Sequence, residues 1–294
     1  MDNPAAVAAD TREPGRLDEL AAEILGLLRL ETVDVDSFRD RGVPGASGRL
    51  YGGQVAAQAL AAAGHTVTGA RPHSLHAYFL RPGDAGQRVV FQVDRLHDGR
   101  TFRRRRVTAM QQGQPILCLE SSFTSDPSDA SDYHRAPPVP GPEECGEYDG
   151  EANSRLPARL APWHLLEARP VPGAGTLLPR LTSGDLWFRF RTSAAADGIP
   201  PEVIVTYLSD LTIAAAALRP TRAHPSGRRD VIGLTSLDHS VWFHNPVNLS
   251  DWLLYTKTAP ATGELRGLAT GQIFNRDGTL VASVAQECLM HRRR

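Results

Sequence analysis

The chain has 294 residues, 41% of them hydrophobic, and a formal net charge of −1; it is long enough for two domains of ordinary size and carries no global field to attract nucleic acid or an anionic membrane. No uninterrupted apolar run reads as long enough to cross a bilayer, and the first residues lack the basic-then-apolar pattern of a secretory signal, so a cytoplasmic protein without a membrane partner is expected. Three widely spaced cysteines suggest neither a disulfide framework nor a zinc knuckle.

Residues 1–15, rich in Ala, Asp, Pro and Gly, read as a disordered N-terminus. Leu17, Leu20, Ile24, Leu27 and Leu28 recur at helical spacing and predict a helix ending near Leu30. Thr32 to Phe38 alternates as one strand, and a Gly/Pro loop then delivers the chain to Gly52-Gly53 and an Ala-rich helix. Strands are predicted over 73–81, 87–97, 101–111 and 115–124, with turns at Pro82-Gly83-Asp84, Asp98-Gly99 and Gln112-Gly113. Residues 126–180, including the Pro-rich run Ala136 to Pro142, read as a linker with a helix around Ala161 to Ala168. Beyond it come a strand at Leu186 to Phe190, one helix over 199–218, and strands over 231–244, 250–259, 264–275 and 279–290.

Two stretches of this pattern repeat roughly 165 residues apart. Tyr78-Phe79-Leu80-Arg81-Pro82 leads to the hairpin at Gln112-Gly113, and Trp242-Phe243-His244-Asn245-Pro246 leads to the hairpin at Asp277-Gly278. Upstream, Gly52-Gly53 to Leu60 is matched to Ser209-Asp210 to Leu218. The fold class is therefore α+β, with tandem units at 16–125 and 181–294, each a helix wrapped by antiparallel strands.

The common catalytic signatures are absent: no Gly-x-Ser-x-Gly elbow, no His-Glu-x-x-His, no complete dinucleotide loop. Lys257 is the only lysine, so no Walker A sequence exists. His73 and His76 fall on opposite faces of a strand, which argues against a metal pair. Asp210, at the start of the second Ala-rich segment, has two readings: a helix-start carboxylate favoured by the macrodipole, or a carboxylate in a partly dry site that orients or deprotonates water. Ser236 and Gln286 are polar interruptions of apolar strands. Alternation puts Gln286 on the face of Val284 and Cys288, where it is either hydrogen-bonded within the protein or a strand-edge amide facing solvent.

At these positions the sequence resembles the acyl-CoA thioesterase II family of double hot-dog enzymes, along most of the chain outside the linker. The most specific matches are Tyr51 to Leu60, His73 to Asp84, Leu237 to His244 and Val281 to Glu287. The resemblance implies hydrolysis of fatty acyl-CoA to acid and CoA without a metal or organic cofactor, in a homo-oligomer with no nucleic-acid partner. It implies that Asp210, Ser236 and Gln286 bind the attacking water, although threonine is common in the family where this chain has Ser236. Gly53 and Gln54, at the first helix start, are expected to meet substrate. Arg104 and Arg106, from the basic run Arg100 to Arg106, either meet the phosphates of CoA or form a solvated edge. Two alternatives remain: a hot-dog hydratase, which needs a histidine that no residue near Asp210 in sequence supplies, and a non-catalytic acyl-CoA-binding protein.

Overall fold

The computed structural model describes residues 22–42, 46–126, 131–148, 166–173, 184–191, 198–219 and 231–292. Strand alternation builds β1 Glu31–Asp34, β2 Ser37–Arg39, β3 Arg71–Phe79, β4 Val90–Asp98, β5 Phe102–Gln111 and β6 Gln114–Thr124, followed by β7 Leu166–Pro170 and β8 Leu186–Phe190. The remaining strands are β9 Val231–Ser236, β10 Asp238–Phe243, β11 Leu253–Thr262, β12 Arg266–Asn275 and β13 Leu280–Arg292. They form one antiparallel sheet in the order β1-β2-β4-β5-β6-β3-β10-β13-β12-β11-β8-β7, with β9 paired to β13. The expected strands of both halves are present, except that the one expected over 231–244 breaks at Leu237 into β9 and β10, where the Asp238 side chain accepts from the Glu287 amide; β3 and β10 join the halves into one surface.

Helix α1 is Gly52–His65 and helix α2 is Pro201–Ser209. Ten residues of α1 are buried, most of them alanine or glycine. Small side chains let its axis lie close to the sheet and to α2, and burial of this apolar surface favours folding by about 25 cal/mol per Å². Val55, Leu60, Val203, Ile204 and Leu208 belong to one continuous core with Leu75, Val107, Leu119, Val241 and Val284 from the sheet.

Four other expectations change. The strand expected over Thr32 to Phe38 is a hairpin, because Asp34 accepts from the Val35 amide and turns the chain. Leu166–Pro170, placed in the linker and partly in its expected helix, is a strand paired with β8; residues 149–165 lie outside the described part, as do 1–21. The helix expected over 199–218 stops at Ser209 and resumes as a 3₁₀ helix, Ile213–Leu218. Finally, Pro201–Leu218 has the length and hydropathy of a membrane-crossing segment, 18 residues at mean hydropathy 1.3. It is broken at Asp210 to Thr212 and mostly buried inside the protein, as a core segment is.

Candidate active site

Asp210 closes α2 rather than opening a helix: the Leu211 amide donates to the Leu208 carbonyl and tightens the last turn. Ser209-Asp210 is therefore not the counterpart of the helix start at Gly52-Gly53: α2 begins at Pro201, close to the start expected for the helix over 199–218. Its own dipole does not favour a carboxylate at this end. The compensation comes from α1, whose Gly53 amide donates to Asp210 Oδ2 at 2.7 Å. The first half has no carboxylate at its helix start because the second half supplies one. A Cβ on Gly53 would lie 2.7 Å from the Tyr207 carbonyl and from the Tyr51 ring, so this approach requires glycine.

The turn around Asp210 is held on every side. Tyr255 Oη donates to the Ser209 carbonyl at 2.6 Å, and Tyr51 Oη donates to the Tyr207 carbonyl at 2.9 Å. Burial, with the Asp210 charge nearby, pushes both phenols well above their ordinary pKa, so both remain donors. Thr212 has φ 62, a left-handed backbone in a β-branched residue, which costs on the order of 1–3 kcal/mol.

Ser236 and Gln286 meet directly: Gln286 Nε2 donates to Ser236 Oγ at 2.8 Å. Gln286 is fully buried and so takes the hydrogen-bonded course of its two readings. Its Oε1 is 2.5 Å from His239 Nδ1, and His239 Nε2 is 2.8 Å from Ser209 Oγ. Because the amide nitrogen faces Ser236, Nδ1 carries the proton that Oε1 accepts, and Nε2 faces the Ser209 hydroxyl, whose single proton lies between that nitrogen and the Thr206 carbonyl 2.9 Å away. Burial drives the His239 pKa down and favours that neutral form, against the opposing pull of Asp210. A continuous relay thus joins Ser236, Gln286, His239 and Ser209, the residue before Asp210.

His239 lies within the matching stretch Leu237 to His244, where the sequence alone assigns it no role. Alternation along β10 places it with Val241 on the buried face, and that pattern was the available signal. The relay leaves one Gln286 N–H, the Ser236 hydroxyl proton and Asp210 Oδ1 for other partners. Gln54 is buried in the first turn of α1, whose leading amides lack partners within the helix. Arg104 and Arg106 stand on the exposed face of β5, turned away from α1, and Arg106 pairs with Glu120 at 2.7 Å. Between them Arg105 is buried and binds Asp98 and Thr66. The geometry around Asp210 draws on none of the three.

Residues 41–125 match the model of the acyl-CoA thioesterase N-terminal domain, and residues 132–290 that of the C-terminal domain. The chain belongs to the acyl-CoA thioesterase family. Human acyl-coenzyme A thioesterase 8 is 34% identical over 282 residues, covering 89% of this chain and 86% of that protein. Among solved structures, the tesB protein of Mycobacterium avium subsp. paratuberculosis superposes with a TM-score of 0.76 at 33% identity, covering 92% of this chain and 99% of its own. A hot-dog protein from Alicyclobacillus acidocaldarius shares the fold at 18% identity and TM-score 0.70, covering 92% and 99%. This thioesterase therefore has a hot-dog fold dominated by antiparallel sheet.

Proposed function

We propose that this thioesterase hydrolyses fatty acyl-CoA to free acid and CoA by direct attack of a water held by Asp210, Ser236 and Gln286. The observation that carries the reading is the pairing of Asp210 with the N-terminus of α1, beside the buried Gln286 amide and the partly buried Ser236 hydroxyl it binds, whose remaining hydrogens are uncommitted. Water oxygen attacks the thioester carbonyl carbon while Asp210 accepts a water proton. Gln286 and Ser236 set the remaining hydrogen-bonding directions of that water. The tetrahedral oxyanion is met by leading amides of α1, Gln54 among them, where the helix dipole favours negative charge. Its collapse breaks the C–S bond, and the departing thiolate recovers a proton, so water is divided between acid and thiol.

The architecture proposed with it is a double hot-dog with units at 16–125 and 181–294, and it is supported by the seam. Asp238 pairs with Tyr78 and Trp242 with Ser74, so the repeat equivalents Tyr78 and Trp242 exchange places as a twofold axis requires. The hydratase alternative gains a nearby histidine in His239. That ring is fully buried, however, with both nitrogens engaged by Ser209 and Gln286, and it has no free edge for substrate.

Free-thiol release from short, medium and long acyl-CoAs, comparing the native chain with Asp210→Asn, tests the reading. The expected loss is at least about tenfold. Undiminished turnover by Asp210→Asn would remove Asp210 from the chemistry. Binding of acyl-CoA without turnover by the native chain would favour a binding protein.

A further inference from the structure

Lys257 lies on β11 two residues from Tyr255, so the two side chains share the inner face of the strand. Tyr255 holds the Ser209 carbonyl, immediately before Asp210. Lys257 Nζ donates to Thr212 Oγ1 at 2.6 Å, two residues after it. One strand thus grips the chain on both sides of the carboxylate.

What the lysine grips is the unusual part of that turn. Among the described residues only Gln112 and Thr212 have positive φ without being glycine. Gln112 belongs to a tight hairpin turn with Gly113, where such geometry is ordinary. Thr212 is β-branched, joins α2 to a 3₁₀ helix, and has no hairpin to impose its conformation. The grip is itself anchored. The Lys257 amide donates to Asp185 Oδ1, Arg219 donates to the Lys257 carbonyl, and Arg219 pairs with Asp185 at 3.1 Å. Across the ladder Gly271 has no Cβ, which would otherwise fall 2.5 Å from the Tyr255 ring, so the aromatic half of the grip is fitted to its place.

We propose that Lys257 is a positioning residue: by binding the Thr212 hydroxyl it holds the left-handed turn that aims Asp210 at the N-terminus of α1. The inference rests on the reading of Asp210 as the carboxylate that works on water. Without the lysine, Thr212 relaxes toward negative φ and rotates the preceding backbone, moving Asp210 away from Gly53. Lys257 acts through that turn and does not touch substrate.

The test uses glycine, which adopts positive φ without cost and needs no grip. Steady-state thiol release is measured with the acyl-CoA that the native chain turns over fastest, for Lys257→Met, the double variant Lys257→Met/Thr212→Gly, and Asp210→Asn. Lys257→Met is expected to lower kcat about tenfold with KM within about threefold, and the added glycine to restore kcat to within about threefold of native. A purely structural role predicts no such rescue. Native kcat in Lys257→Met overturns the proposal, as does a double variant that folds and remains impaired. A double variant that cannot fold also overturns it, since the turn has then been relieved and the lysine is needed elsewhere. Should Asp210→Asn retain native activity, the reading of Asp210 fails; loss in Asp210→Asn alone, with Lys257→Met unaffected, removes only the role of Lys257.

Discussion

At the residue scale, α1 approaches Asp210 where a side chain is missing. A Cβ on Gly52 would sit 3.0 Å from Asp210 Oδ2 and 3.1 Å from the Phe79 ring. Gly52→Ala is expected to displace the carboxylate and lower kcat about tenfold while changing the melting temperature by only a few degrees; comparing the two quantities separates crowding at the site from global damage. His239→Leu strips the donor from buried Gln286 Oε1, at a cost of about 1–3 kcal/mol. Loss of both stability and kcat is expected, and an unchanged unfolding midpoint in urea would contradict the relay. The sequence made part of this legible. Asp210, Ser236 and Gln286 stood out as polar groups in apolar surroundings and the resemblance joined them into one site, while His239 and the carboxylate's link to Gly53 did not emerge. Contacts such as Gly53 to Asp210 join residues from opposite halves of the chain, and no local pattern encodes that closeness.

At the scale of elements, strands were read better than helices, because a period of two survives short segments. The second helix was misread for a physical reason. Its run Ile204 to Leu218 is apolar enough to continue, yet Lys257, Tyr255 and His239 impose a break that propensity does not contain. Burial of Lys257, with Arg219 nearby, pushes its amine down to about 7 from 10.5, against the opposing effect of Asp185. The unfolded chain therefore binds more protons than the folded one between those values. Stability contributed through Lys257 should rise with pH from about 7, with no further slope below that, where both states are protonated. Cys288, pushed up to about 11 from 9.0 by burial, works in the opposite direction above pH 9. Thermal melts between about pH 7 and 8.5 should show a rising midpoint in the native chain and a flatter one in Lys257→Met. Equal slopes would mean that Lys257 is charged in the fold across that range.

For the whole molecule, the sheet order and the seam make the halves mutually dependent. Separating residues 1–125 from 126–294 would expose the edge of β3, uncover α1 and part Gly53 from Asp210. Each piece alone is expected to release no thiol and to aggregate, whereas co-expression should recover measurable activity through pairing of β3 with β10. Activity in either isolated half would show that the site does not span them. The run of antiparallel strands was visible in sequence, and so the sheet-dominated plan was too. The packing of the segment before β7 against the second half was not. Trp187 Nε1 donates to the Pro140 carbonyl, and Tyr133, Ala136 and Val139 cover a cluster containing Trp252 and Phe274. Proline-rich composition signals the absence of helix, not where the chain will lie.

The seam also bears on how this protein can change. Two identical chains meeting across a twofold axis would carry every substitution twice, once at each end of the contact. Here Tyr78 faces Asp238 at one end and Ser74 faces Trp242 at the other, so the ends already differ in charge and bulk. Because both ends belong to one chain, a substitution at one end leaves the other as it was.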